Sequence, residues 1–264
     1  MTTAELRQRF GALATSAVHL RATENPSFSQ LGGEPLLPEE VRWPEWKGKP
    51  LSFLAQIDLA EVHAVLPSFL PRSGLLLFFY DQDQSVWGFD PKDEGAWKVF
   101  HVEGEVAYWQ RRSTPAGVDK GARFQCKPIA FHAMQSFPDA QRIESGFARD
   151  RDWDAYYELR HEAFEGDVRH QMLGYPSPVQ SDDMELDCQL ASNGIYLGGP
   201  EGYQDARVTE LKSGAKDWKL LLQLDSDDDA GWMWGNAGTL YFWIREQDAR
   251  RGDFSKVWLS FQCC

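Results

Sequence analysis

The sequence lacks any run of about 18 apolar residues, the length a membrane-spanning helix needs. Its start, MTTAELRQRFGALATSAVHL, lacks the basic opening and apolar core of a secretory signal. Cysteine is scarce. The four residues, Cys126, Cys188, Cys263 and Cys264, form no CxxC or CxH spacing, which argues against a disulfide framework and a zinc site. These absences predict a cytoplasmic protein with reduced thiols and no membrane association. Positive charge is also short, with 27 Lys and Arg against 40 Asp and Glu, a net charge of −13. Such a balance argues against nucleic acid, which requires Lys/Arg stripes, and leaves solubility, a basic protein partner or a cation. Catalytic signatures are missing too. The six histidines form no HExxH, and neither GxSxG nor GxxxxGK[ST] occurs. No cofactor and no catalytic residue is expected.

Aromatic residues, in contrast, are plentiful: 11 Trp and 16 Phe in 264 residues. A chain of this size buries about three quarters of its unfolded surface. Each buried aromatic then contributes about 1.5–3 kcal/mol. The apolar spacing predicts a helix over 3–20 with Thr2 or Thr3 as cap. The Pro- and Gly-rich span 26–50 reads as an ordered loop packed on the body. Strands are expected at 51–57, 74–81, 86–89, 97–102 and 128–134, with an extension at 105–109 and a short helix or turn over 58–66. The basic span 110–127 reads as a solvated connection. Helix 152–164 follows, with Asp152 as cap and Gly166 as stop.

The stretch 218–262 holds three apolar runs, and 51–102 echoes it. LSFLAQID at 51–58 matches WKLLLQLD at 218–225, and Gly74–Tyr80 matches Gly238–Ile244. Lys98–Phe100 matches Lys256–Trp258, and QLGGEP at 30–35 loosely matches MLGYP at 172–176. Two related halves, about 26–110 and 170–264, would then share one core within a single domain spanning 1–264. If a twofold relates them, Gln56, Asp58, Gln223 and Asp225 converge on a polar site. Alternatively, each Gln and Asp satisfies backbone groups at the end of its own strand.

Asp225, Asp227 and Asp229 begin like a calcium loop, but Ala230 and Asn236 stand where the pattern needs Gly and Glu, which leaves a weak cation site at most. Trp232 and Trp234 are either a binding shelf or a turn packed on the sheet, with burial of at least one expected.

The phrases LGGEPLLPEEVRWP, LSFLAQIDL, LGYPSPVQ, LLLQLDSDDDAGWMWGNAGTLYFWI and DFSKVWLSFQC resemble the YwqG-like family, also called domain of unknown function 1963, over roughly 26–264. The resemblance implies a β-rich mixed fold with internal duplication. It also implies a bacterial, cytosolic setting and, for some relatives, an immunity-protein role beside toxins. It supplies no catalytic residue and no cofactor. The expected fold is therefore α+β: one β-rich domain, internally duplicated, with helices outside. The expected function is a non-enzymatic binding or interaction module, immunity-protein-like, with a protein partner. The alternative is a small-ligand binder or enzyme using a polar cleft between the halves, with Gln56, Asp58, Gln223, Asp225, Trp232 and Trp234 as its candidate residues.

Overall fold

A computed structural model of the protein describes residues 2–104, 109–143, 150–164 and 166–264. Helix α1 (Thr3–Phe10) opens on a capping box: Thr2 Oγ1 accepts from the Glu5 amide at 3.3 Å, and the Glu5 carboxylate accepts from the Thr2 amide at 2.7 Å. The helix expected to reach residue 20 stops at Phe10. A 3₁₀ turn follows at Gly11–Leu13, then strand β1 (Thr15–Ala22). Leu6 and Phe10 are buried whereas Leu13 is exposed, and Ala17 to Leu20 are all buried between two neighbouring strands. Burial on both sides favours the extended form over a helical period.

The chain continues through β2 (Gln30–Leu31), β3 (Glu45–Trp46), β4 (Lys49–Pro50), β5 (Ser52–Asp58), α2 (Leu59–Val65), β6 (Leu75–Tyr80) and β7 (Trp97–Val102). Next come β8 (Lys127–Ser136), α3 (Asp150–His161), β9 (Gln171–Met172) and α4 (Met184–Ala191). It ends with α5 (Val208–Leu211), β10 (Trp218–Asp225), β11 (Thr239–Arg245), α6 (Glu246–Arg250) and β12 (Trp258–Gln262). The Pro-rich loop is ordered as expected. Its Leu36, Leu37, Val41 and Trp43 cover Leu51, Phe53 and Phe79. Asp152 lies inside α3 rather than capping it, and α3 stops three residues before Phe164. Helix α4 was not expected from the pattern. Of the proposed extension at 105–109, residues 105–108 lie outside the described residues.

Ten strands form one antiparallel sheet in the order β12-β11-β10-β9-β1-β8-β2-β5-β6-β7. The order reads alike from both ends. β1 precedes the first group in the chain yet pairs with β9, and β8 precedes the second group yet pairs with β2. The sheet curls, so that Phe78 of β6 meets Phe242 of β11 edge-on at 5.2 Å. Its two edges nearly join through residues 86–89, expected as a strand but forming none. That span is instead a seam. The Trp87 carbonyl accepts from the Phe261 amide at 3.1 Å, and the Gly88 carbonyl accepts from the Trp258 indole at 2.9 Å. Gly88 has φ +84°, and a Cβ there would sit 1.9 Å from the Leu259 carbonyl oxygen, so only glycine fits. The seam covers part of the β12 edge, one of the open hydrogen-bonding rows that invite aggregation. Helices α1 and α3 pack outside, sharing a small cluster of Leu6, Phe10, Tyr156 and Leu159.

Candidate functional site

Gln56 and Gln223, proposed to converge, are wholly buried and already engaged. Gln56 Oε1 accepts from the Leu36 amide at 2.7 Å, and its Nε2 donates to the Phe28 carbonyl at 2.5 Å. Gln223 does the same with Ser177 at 2.9 Å and Arg169 at 2.7 Å. Across the ladder, Gln30 stands opposite Gln56, and Gln171 opposite Gln223. Gln30 donates to the carbonyls of Gly32 and Glu34, and Gln171 to those of Leu173 and Tyr175. Gly32 and Gly33 have φ +59° and +75°, and Leu173 and Gly174 have +63° and +69°. Ladder irregularities fall at Phe53/Ala55 and at Leu220/Leu222. One tight turn clamped by two glutamines thus occurs twice. The likeness of Lys98–Phe100 to Lys256–Trp258 is not matched by the ladders. Lys98 faces Phe79 and Trp258 faces Trp243, while Lys256 lies in a 3₁₀ turn before β12.

Asp58 and Asp225 do not meet. Four strands separate β5 from β10 and every step is antiparallel, so the two strands run oppositely and their ends lie at opposite ends of the sheet. Asp58 caps α2 by accepting from the Ala60 amide at 2.9 Å, and burial raises its pKa. Asp225 accepts from the Arg169 amide at 3.2 Å and the Thr239 hydroxyl at 2.6 Å. Each serves its own strand end, and the convergent polar site is not formed.

The suggested cation loop also fails. Asp227 accepts from the Asp229 amide at 2.9 Å and from His170 Nε2 at 3.2 Å, and the hydrogen bond from His170 lowers its pKa. With the Asp225 oxygens engaged as above, the three carboxylates do not assemble. Among the described residues, no group of three or more His, Cys, Asp or Glu could hold a metal ion.

Trp232 and Trp234 form no shelf, since both are buried. They pack on Phe124 at 5.8 and 5.7 Å, and Trp232 stacks edge-on against His170 at 5.4 Å. The Trp234 indole donates to the Asp225 carbonyl at 3.2 Å. Sequence spacing missed the His170–Asp227 pair, because the two lie 57 positions apart. His170 Nδ1 accepts from the Asp225 amide at 3.1 Å and Nε2 faces Asp227, so neither ring nitrogen is available to a substrate.

An opening lies at the other end of the sheet, beside the end of β5. There the start of β1, the end of β9, the start of β10 and the turn after α2 enclose a cleft of about 410 Å³. Its walls include Phe69, Tyr175, Trp218 and Trp243, with Thr15 and Ser16 of β1 also in the lining. A second groove of about 440 Å³ shares Tyr175, Glu185, Trp218 and Lys219 with it and reaches Arg142 and Asp182. Burial pushes Asp182 up to about 6, although Arg142 grips it through two bonds of 2.5 Å.

Residues 29–263 match the family described as a domain of unknown function (DUF1963). The chain belongs to the DUF1963 family. No curated protein matches it. The DUF1963 match leaves out β1, yet β1 sits at the centre of the sheet and supplies part of the cleft lining. No helix among the described residues is long and apolar enough to cross a membrane.

Proposed function

We propose that this DUF1963 protein is a non-catalytic binding module made of two copies of one strand unit, and that its ligand enters the cleft at the open end of the sheet. The duplication is supported by the twice-repeated glutamine clamp, the matching ladder irregularities and a strand order that reads alike from both ends. In this scheme β1 and its counterpart β8 are exchanged across the axis, which places them outside the halves expected from sequence.

One observation carries the binding reading: the two corresponding ends of the sheet are closed differently. His19 faces Gln171 and Pro128 faces Gln30, so Thr15 and Phe124, each four residues earlier, occupy corresponding places. At the Asp225 end, Phe124, Trp232 and Trp234 fill the space. At the Asp58 end, Thr15 and the turn Leu66–Phe69 leave 410 Å³ open, within the range of small-molecule sites. Full engagement of both His170 nitrogens supports binding rather than acid–base chemistry. The cytoplasmic setting follows from composition and is part of the same proposal.

The test copies the closed end into the open one. In the wild type, fragments screened by NMR should shift resonances of the Trp218 indole and of 66–69. In Thr15→Phe those shifts should vanish while the fold is retained. Fragments that never gather at the cleft, or that bind Thr15→Phe equally, would overturn the proposal.

A further inference from the structure

Resting on the cleft as the binding site, we propose that its ligand is an uncharged polyol with an apolar ring face, of mono- or disaccharide size. The charges of the walls and of the groups that face them cancel. Glu185 is held by Arg142 at 2.7 and 2.8 Å, and Glu246 by Arg250 at 2.6 and 3.0 Å. Lys219 keeps its charge, its ammonium donating to the Lys216 carbonyl at 3.1 Å, and is offset because Arg142 faces two carboxylates, Asp182 and Glu185. A charged ligand would meet no net charge of the opposite sign there, yet would lose hydration, which is costly. Phosphorylated ligands fit worst, because no cluster of unpaired basic groups lines the walls.

Small neutral groups remain. The hydroxyls of Thr15 and Ser16 are exposed at the start of β1 and have no side-chain hydrogen bond among the described residues. Each hydroxyl donates one bond and accepts two, which suits a ligand with many hydroxyls of its own. Ser68 of the turn after α2 adds a third, and its oxygen also accepts from the Leu70 amide at 3.3 Å. The same lining holds the half-buried rings of Phe69 and Tyr175, apolar surfaces able to cover the C–H face of a sugar ring. A purely apolar ligand would bury these hydroxyls without partners, at a cost for each.

The full chain is titrated with glucose, N-acetylglucosamine, maltose and cellobiose, and separately with glucosamine, glucuronate, glucose 6-phosphate and phenylacetate, followed by NMR of the tryptophan indoles. At least one neutral sugar should shift Trp218. Its charged counterparts should bind at least about tenfold more weakly, as an uncompensated charge demands. Thr15→Phe, or Ser16→Val if that variant is unfolded, should abolish binding. Tighter binding of a charged or apolar compound in the cleft overturns the polyol assignment and leaves the cleft standing as a site. No shift from any sugar also overturns it. A sugar that binds both variants unchanged lies elsewhere and overturns it as well. Failure of the fragment screen to reach the cleft would instead remove the underlying binding reading.

Discussion

Replacing Gln223 by Met removes an amide and keeps the length of the side chain. The structure fixes what is lost. The Ser177 amide and the Arg169 carbonyl, bonded at 2.9 and 2.7 Å, are left without partners beside a wholly buried side chain. Each orphaned buried group costs about 1–3 kcal/mol, and better burial of the Met thioether offsets a part. We expect a loss of about 3 kcal/mol for Gln223→Met. Gln56→Met, which strands the Leu36 amide and the Phe28 carbonyl, should lose a similar amount, within about 1 kcal/mol. Urea denaturation reads this as a lower midpoint at unchanged slope. Because each clamp serves its own strand group, the double variant should be additive within about 0.5 kcal/mol. A loss below about 1 kcal/mol in either single variant would refute the clamp. A coupling above about 1 kcal/mol would restore the idea that the two glutamines share one site.

Gly88→Ala places a methyl 1.9 Å from the Leu259 carbonyl oxygen, whereas a Cβ at Gly231 (φ +71°) meets nothing within 4 Å. Thermal unfolding should show a loss of at least about 2 kcal/mol at Gly88 against about 1 kcal/mol at Gly231, and equal losses would mean that the seam does not hold the edges together. Asp187 is pushed up to about 6 by burial first, then by Asp183 and Glu185, against the Tyr203 hydroxyl bonded at 2.8 Å. Its raised pKa costs stability above about pH 6, and the cost is relieved as pH falls toward 4. Asp187→Asn should therefore raise the melting temperature at about pH 8, keep about half of that gain at about pH 5 and lose most of it by about pH 4; a gain independent of pH would contradict the assignment.

Several features were legible in the residues. Strands β5, β6, β10 and β11 follow from apolar runs bounded by turn residues, because near-continuous burial on both faces leaves no polar alternation to misread. The parallel between Gln56 and Gln223 was visible as a phrase, and so was the alternative that each serves its own strand end. Asp152 misled, since an acidic first turn resembles a cap wherever the helix begins. β1 was hidden because a stretch with Val18 and Leu20 spaced after Leu13 satisfies a helical period as well as a strand.

By itself, the sequence determined a β-rich body dense in aromatics, short of basic charge, with one strand phrase used twice. Those properties are local: they depend on side-chain type and spacing along a single segment. Tertiary structure alone decided that β1 and β8 cross between the two strand groups, since pairing joins segments far apart in sequence. It also decided that Trp232 and Trp234 are plugs rather than a shelf. An indole is equally suited to a core and to an exposed site, and only the presence of Phe124 behind it settles which. The cleft is of the same kind. It exists because Thr15, not a large ring, meets the turn after α2, a vacancy that no single segment of the sequence encodes.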